Sequence, residues 1–160
     1  MRIGQGLDVH PFDEERPLTL GGVRISDRGG LAGHSDADAV LHAVTDALLG
    51  AVAAGDIGEH FPSDDARWEG ADSRTFVAEA LRAVVDRGYH LANLDVTVIA
   101  QKPKLAPHRA AIRQSIATIL GLDPDRVSVK ATTTDGLGFA GRGEGIAALA
   151  IVLIEMDDPR

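Results

Sequence analysis

Apolar Ile3, Leu7 and Val9 fall on odd positions, and Gly4, Gly6, Asp8 and His10 on even ones. That two-residue period predicts a half-buried strand with Asp8 and His10 on one face. Leu18-Thr19-Leu20 and Val23-Arg24-Ile25, split by Gly21-Gly22, read as a small hairpin on a two-residue glycine turn. Ser35 is expected to cap a first helix, with Asp36 and Asp38 in its first turn, running to about Gly50. Residues 55–70 lack periodicity and predict an irregular loop. A second helix is expected from Ser73 to Gly88, with Phe76, Val77, Ala80, Leu81 and Val84 at helical spacing. Leu94, Val96, Val98 and Ala100 alternate as a strand, and a third helix is opened by Pro107 and closed by Gly121. Val127 to Ala131 predicts a short strand, Thr134 to Gly145 a glycine-rich loop, and the apolar run Ile146 to Ile154 a strand buried on both faces. Strands alternate with helices, so the expected class is α/β: one domain over residues 1–160, with a mixed four-stranded sheet, helices on one face and the small hairpin.

The chain of 160 residues is sized for one core, and 44% apolar residues supply it. It has no cysteine, which excludes disulfides, thiolate nucleophiles and cysteine-bound metals. Any metal must take His and carboxylate. A formal charge of −8 argues against nucleic acid and against anionic membrane. It does not exclude a phosphorylated substrate, because binding is decided by local and not net charge. The longest apolar run is too short to span a bilayer and the N-terminus lacks a signal-like apolar stretch, so a cytoplasmic protein is expected.

Asp8 and His10 are spaced to share a metal ion, or form a plain surface pair. On the first helix, the stripe Val40, Val44, Ala47, Leu48 and Ala51 places His42 on the opposite side, with Asp38 and Asp46 one turn away. His42 is then either a solvated imidazole between two carboxylates or a third ligand with a carboxylate-rich surround. Asp8, His10 and His42 together would leave a coordination position open, the pattern of a catalytic zinc able to polarise a phosphoryl oxygen. His60, His90 and His108 have no such companions and read as surface residues. Ser35, beside His34, is a plain cap or part of an anion site at a helix start. Thr132-Thr133-Thr134-Asp135 is either a strand-forming run or the start of a close-approach loop, since five glycines follow between Gly136 and Gly145. The glycine spacing fits neither a Walker nor a Rossmann fingerprint.

Taken together, Gly6-Leu7-Asp8-Val9-His10, His34-Ser35-Asp36-Ala37-Asp38 with His42, Gly55-Asp56-Ile57-Gly58, and Lys130 to Asp135 running into Gly138 to Gly145 resemble the 2-C-methyl-D-erythritol 2,4-cyclodiphosphate synthase family. The resemblance runs from Met1 to about Glu155. No second domain precedes Met1, so the single-function form is expected, not a fusion with the cytidylyltransferase of the same pathway. The resemblance implies a cyclisation in non-mevalonate isoprenoid synthesis: the 2-phosphate of a cytidine diphosphate methylerythritol attacks the β-phosphorus and CMP leaves. It implies Asp8, His10 and His42 as ligands of zinc or another divalent transition metal, and Asp135 as a holder of a second ion, magnesium or manganese. His34 and Thr133 match the transition-state stabilisers. Asp8, His10, Ser35, Thr132 and Asp135 match substrate contacts at the phosphates. Asp56, Ile57, Gly58, Phe61, Ser63, Asp64 and Asp65 match the ribose and methylerythritol region, and Ala100, Pro103, Lys104, Leu105 and Ala106 the cytidine pocket. Two positions depart from the pattern: Asp135 stands where Glu is common, and Ser63 where a carboxylate is frequent.

The resemblance also implies a homotrimer with active sites between subunits. Phe139, Arg142 and Glu144 would line a cavity on the threefold axis that takes an isoprenoid diphosphate, with Arg142 as the anion contact and Leu7 where a Phe often stands; alternatively they are interface packing residues without a ligand. Two other classes of function stay open: a metal-dependent phosphohydrolase using the same ion, and a non-catalytic trimer binding nucleotide or isoprenoid diphosphate.

Overall fold

The computed structural model describes residues 1–156. Its strands are β1 (Arg2–Asp13), β2 (Leu18–Leu20), β3 (Val23–Ser26), β4 (Gly30–Leu31), β5 (Tyr89–Ile99), β6 (Val127–Thr132) and β7 (Gly145–Met156). The helices are α1 (Ala39–Ala51), α2 (Ile57–His60), α3 (Arg74–Val85), α4 (Arg109–Leu120) and the single turn α5 (Gly138–Gly141). The main sheet runs β4-β1-β7-β5-β6, and β2-β3 forms a separate hairpin. Four long strands are present as expected, and the fifth is the two-residue edge β4, paired with Phe12 and Asp13. The sheet is mixed: β5 and β6 are parallel across the α4 crossover, and β7 is antiparallel to both β1 and β5.

The helices cover one face. Leu94, Val96 and Val98 of β5 and Ile146, Ala148, Ala150, Val152 and Ile154 of β7 are buried there with α1, α3 and α4. On β1 it is the glycines that turn inward. A Cβ on Gly4 would lie 1.8 Å from the Ala47 carbonyl oxygen, and one on Gly6 2.0 Å from that of Ala43. The backbone of α1 therefore rests directly on β1, and only a residue without a side chain fits between them. The alternating apolar residues face the other way: Ile3, Leu7 and Val9 are exposed, as is Ile151 of β7. The expected double burial of β7 is thus only partly met within one chain, because on the odd-numbered side Ala147 is buried beside α5 while Ile151 is left exposed.

Three expectations change in detail. The first helix begins at Ala39 and its cap is Asp38, not Ser35. Ala37 takes a left-handed φ of 57°, which breaks the helix before that point. Asp38 accepts hydrogen bonds from Val40 and Leu41 and also from Gly21 and Gly22 of the hairpin turn, so one carboxylate fastens the hairpin to the helix. Second, residues 55–70 contain α2 and a 3₁₀ turn, Ala66–Trp68, capped by Asp56 and Asp65. Third, Pro107 lies in the turn before α4, which starts two residues later; Gly121 ends it at φ 66° as expected.

Candidate functional site

Because α1 contacts β1, β7 and α3, it is buried around nearly its whole circumference. His42 is accordingly 8% exposed, and not on a solvated face as the apolar stripe predicts. Asp8 and His10 point from β1 toward the same helix, on the glycine side of the strand. The result is a cluster in which Asp8, His10 and His42 each offer a ligand atom, all within 4.8 Å of one another. Asp8 Oδ2 lies 2.9 Å from His10 Nε2 and 3.4 Å from His42 Nδ1, and the two nitrogens are 3.1 Å apart.

The outward nitrogens are also held. His10 Nδ1 lies 2.6 Å from the Ala32 carbonyl, which only accepts, so Nδ1 carries the hydrogen and Nε2 turns its lone pair to the cluster. His42 Nε2 lies 3.0 Å from Ser35 Oγ and 2.9 Å from Ser73 Oγ. Asp8 Oδ2 is buried and receives no well-aligned hydrogen bond. A buried carboxylate oxygen and two imidazole nitrogens converge on one point, a donor set that fits a divalent transition metal. Burial alone would raise the Asp8 carboxyl, but the two imidazoles outweigh it and hold it at about 2. Burial opposes protonation of His10, yet Asp8 and the Ala32 carbonyl outweigh this and raise it.

Asp38 and Asp46 do not surround His42. Asp38 is engaged by the helix start and hairpin, and Asp46 accepts the Ile57 N–H at 2.7 Å, tying α2 to α1. Hydroxyls at Ser35 and Ser73 take the place expected for carboxylates. Ser73, which the sequence shows only as a helix start, is brought by the fold to His42.

A cleft of about 210 Å³ opens at the cluster, lined also by His34, Ser35, Ile57, Gly58, Phe61, Ser63, Trp68 and Phe76. Phe61 stacks on Phe76 at 4.5 Å, with Trp68 edge-on to both, which gives the cleft a rigid aromatic wall. His34 Nε2 donates to the Asp65 carbonyl at 3.2 Å. Asp56 caps α2 at the margin, and the Asp65 carboxylate is held low by its hydrogen bond and charge contact with Arg67. Asp64 is exposed and lines no part of this cleft.

A second cleft, about 480 Å³, is lined by Ala100, Gln101, Pro103, Lys104, Leu105, Ala106, Arg109, Ala131, Thr132 and Thr133. It lies at the end of the parallel pair β5–β6, which aligns Ile99 with Thr132, and Lys102-Pro103 is a cis peptide. No residue is common to the two clefts. Asp135 sits at φ 52°, its N–H directed at Thr133 Oγ1 at 3.3 Å.

A model of the YgbB family matches residues 1–155. The chain belongs to the YgbB family. A 2-C-methyl-D-erythritol 2,4-cyclodiphosphate synthase of Geobacter sulfurreducens is 58% identical over 155 residues, 97% of this chain and 99% of that protein. One from Erwinia tasmaniensis is 57% identical over 154 residues, 96% and 98% of the two chains. Among solved structures, the bifunctional IspDF of Campylobacter jejuni matches with a TM-score of 0.94 and 46% identity over 98% of this chain, which spans 42% of that longer one. The CDP complex of IspF from Plasmodium falciparum matches at 0.85 and 37% identity, covering 98% and 97% of the two chains.

Within this YgbB chain a third recess, about 250 Å³ and almost wholly apolar, lies on the open side of the sheet between Leu7, Val9, Ile99, Leu137 and Phe139. Arg142 does not line it; its Nε donates to Glu144 Oε1 at 2.7 Å. Among the described residues, no helix is long and apolar enough to cross a membrane.

Proposed function

We propose that this protein is a 2-C-methyl-D-erythritol 2,4-cyclodiphosphate synthase, cyclising 4-diphosphocytidyl-2-C-methyl-D-erythritol 2-phosphate with release of CMP. The observation that carries the reading is the Asp8–His10–His42 cluster at the mouth of a cleft, in a chain of the YgbB family. Zinc or another divalent transition metal at Asp8, His10 and His42 would supply a Lewis acid to the diphosphate, and magnesium or manganese near Asp135 would offset its charge. The chain's own task is to hold two anionic groups together in line with the leaving CMP. Ser35 offers a hydrogen bond to the phosphates within the cleft, His34 can offer its Nε2–H there by giving up the Asp65 carbonyl, and Thr132 and Thr133 offer theirs from the second cleft. Ile57, Gly58, Phe61 and Ser63 surround the ribose and methylerythritol, with Asp56 and Asp65 at the margin, while Asp64, outside the cleft, is left without a contact. Ala100 to Ala106 receive cytosine by shape and backbone.

One substrate must occupy both clefts, yet in one chain they share no wall. This supports a homotrimer in which each active site takes the metal cleft of one subunit and the cytidine cleft of the next. The apolar recess with Phe139, and Arg142 near it, would line the axis; an isoprenoid diphosphate there has to compete with Glu144 for Arg142. Phosphorus NMR of the protein incubated with the substrate tests the reaction. The cyclic diphosphate plus CMP is expected. CMP with a linear diphosphate would mean a hydrolase, and no turnover a binding protein.

A further inference from the structure

We infer that Asp36 and Ser73 are positioning residues that hold His42 in its Nε2–H tautomer, so that Nδ1 turns its lone pair to Asp8 and His10. The inference rests on the reading of this cluster as a metal site. Ser73 stands at the N-cap of α3, is fully buried, and yet makes no side-chain cap. Its hydroxyl donates instead to Asp36 Oδ1. A hydroxyl has one hydrogen, so toward His42 Nε2, 2.9 Å away, Ser73 only accepts. The hydrogen on that edge of the imidazole therefore belongs to Nε2.

Asp36 is itself fixed. Its Oδ2 accepts the Ser73 N–H at 3.1 Å, its Oδ1 the Asp38 N–H at 3.2 Å, and its own N–H donates to the Ala71 carbonyl at 3.0 Å. The carboxylate thus orients the serine and the serine orients the imidazole. Ser35 Oγ lies 3.0 Å from the same Nε2 and already accepts the Ala37 N–H at 3.2 Å. With Nε2 protonated, the Ser35 hydroxyl hydrogen has no claim on it and is left for a ligand in the cleft. Tethering α3 to the loop before α1 is the purely structural alternative. It predicts nothing about the tautomer.

Nitrogen-15 NMR of the metal-free protein at mildly alkaline pH identifies the protonated ring nitrogen of each histidine, and zinc titration of the same samples gives affinity. Nε2–H at His42 is expected in the wild type. Ser73→Ala, and Asp36→Ala by freeing the Ser73 hydrogen to donate to Nε2, should mix the tautomers and weaken zinc binding about 10–100-fold. A wild-type His42 protonated on Nδ1 overturns the inference, and so does either folded variant that keeps both tautomer and zinc affinity. If neither variant folds, the wild-type spectrum decides. Wild-type Nε2–H without zinc uptake would remove the metal reading and leave the tautomer assignment standing.

Discussion

His42 and Asp38, one helical turn apart, carry opposite burdens of burial. His42 is packed on Phe76 at 5.8 Å between ring centroids and bonded to two serines. His42→Ala should therefore abolish zinc binding and also cost about 1–3 kcal/mol, from the cavity and the stranded hydroxyls. Urea unfolding and zinc titration of the variant check both; retained zinc affinity would remove His42 from the ligand set. Asp38 is fully buried, and burial lifts its carboxyl to about 6 despite the N–H groups of Gly22, Leu41 and Gly21 that favour the charged form. The folded state then binds this proton more tightly than the unfolded chain. Its contribution is full below the ordinary value of 3.8 and is lost as pH rises through about 6. The difference bounds the effect at about 3 kcal/mol. Asp38→Asn, which has no proton to lose, should flatten the stability profile across that window; an unchanged slope in urea titrations would assign it to other groups.

At the scale of elements, the site depends on how closely α1 lies against β1. The two meet where Gly4 and Gly6 leave room for the carbonyls of Ala47 and Ala43. Gly6→Ala should push the helix outward, costing about 1–3 kcal/mol. Because His42 rides on that helix and Asp8 and His10 on the strand, zinc affinity should fall with every ligand intact. A folded Gly6→Ala protein with wild-type affinity would show that the strand yields and not the site. The same packing explains what could be read from sequence. The period-two face carrying Asp8 and His10 was legible, because alternation is a local property. The burial of His42 was not: the apolar stripe locates one covered side of α1, while α3 covers another and contributes Ser73. Nor was the helix start legible, since Ser35 and Asp38 are both good caps and the choice is made by Ala37 and by a hairpin turn distant in sequence. Motif residues marked Asp8, His10 and His42, which the fold brings together; tertiary packing decided which hydroxyls and carbonyls hold them.

The whole molecule presents an apolar sheet face that only the single turn α5 reaches, at the Leu7 and Val9 end. Ile3, Leu7, Val9 and Ile151 are 69%, 58%, 46% and 41% exposed, and cross-strand register places Ile3 opposite Leu153, Leu7 opposite Leu149 and Val9 opposite Ala147. A contiguous patch of this kind on a folded chain marks an interaction surface. If it is the trimer interface, a charge at its centre should separate the subunits without touching the metal cluster, which lies on the opposite side of β1. Ile151→Lys is suited to this, because Ile151 is exposed within that face and the carboxylate directly across on β5, Asp95, is already paired with Lys130 and does not neutralise the new cation. Sedimentation should then show single chains that bind zinc as wild type does. Turnover should fall by about 100-fold or more, because the cleft proposed for cytidine no longer meets the Asp8–His10–His42 cleft and the advantage of holding both ends of the substrate is lost. A single-chain species with full turnover would place a complete active site within one subunit, and a trimer resistant to the lysine would move the interface off this face.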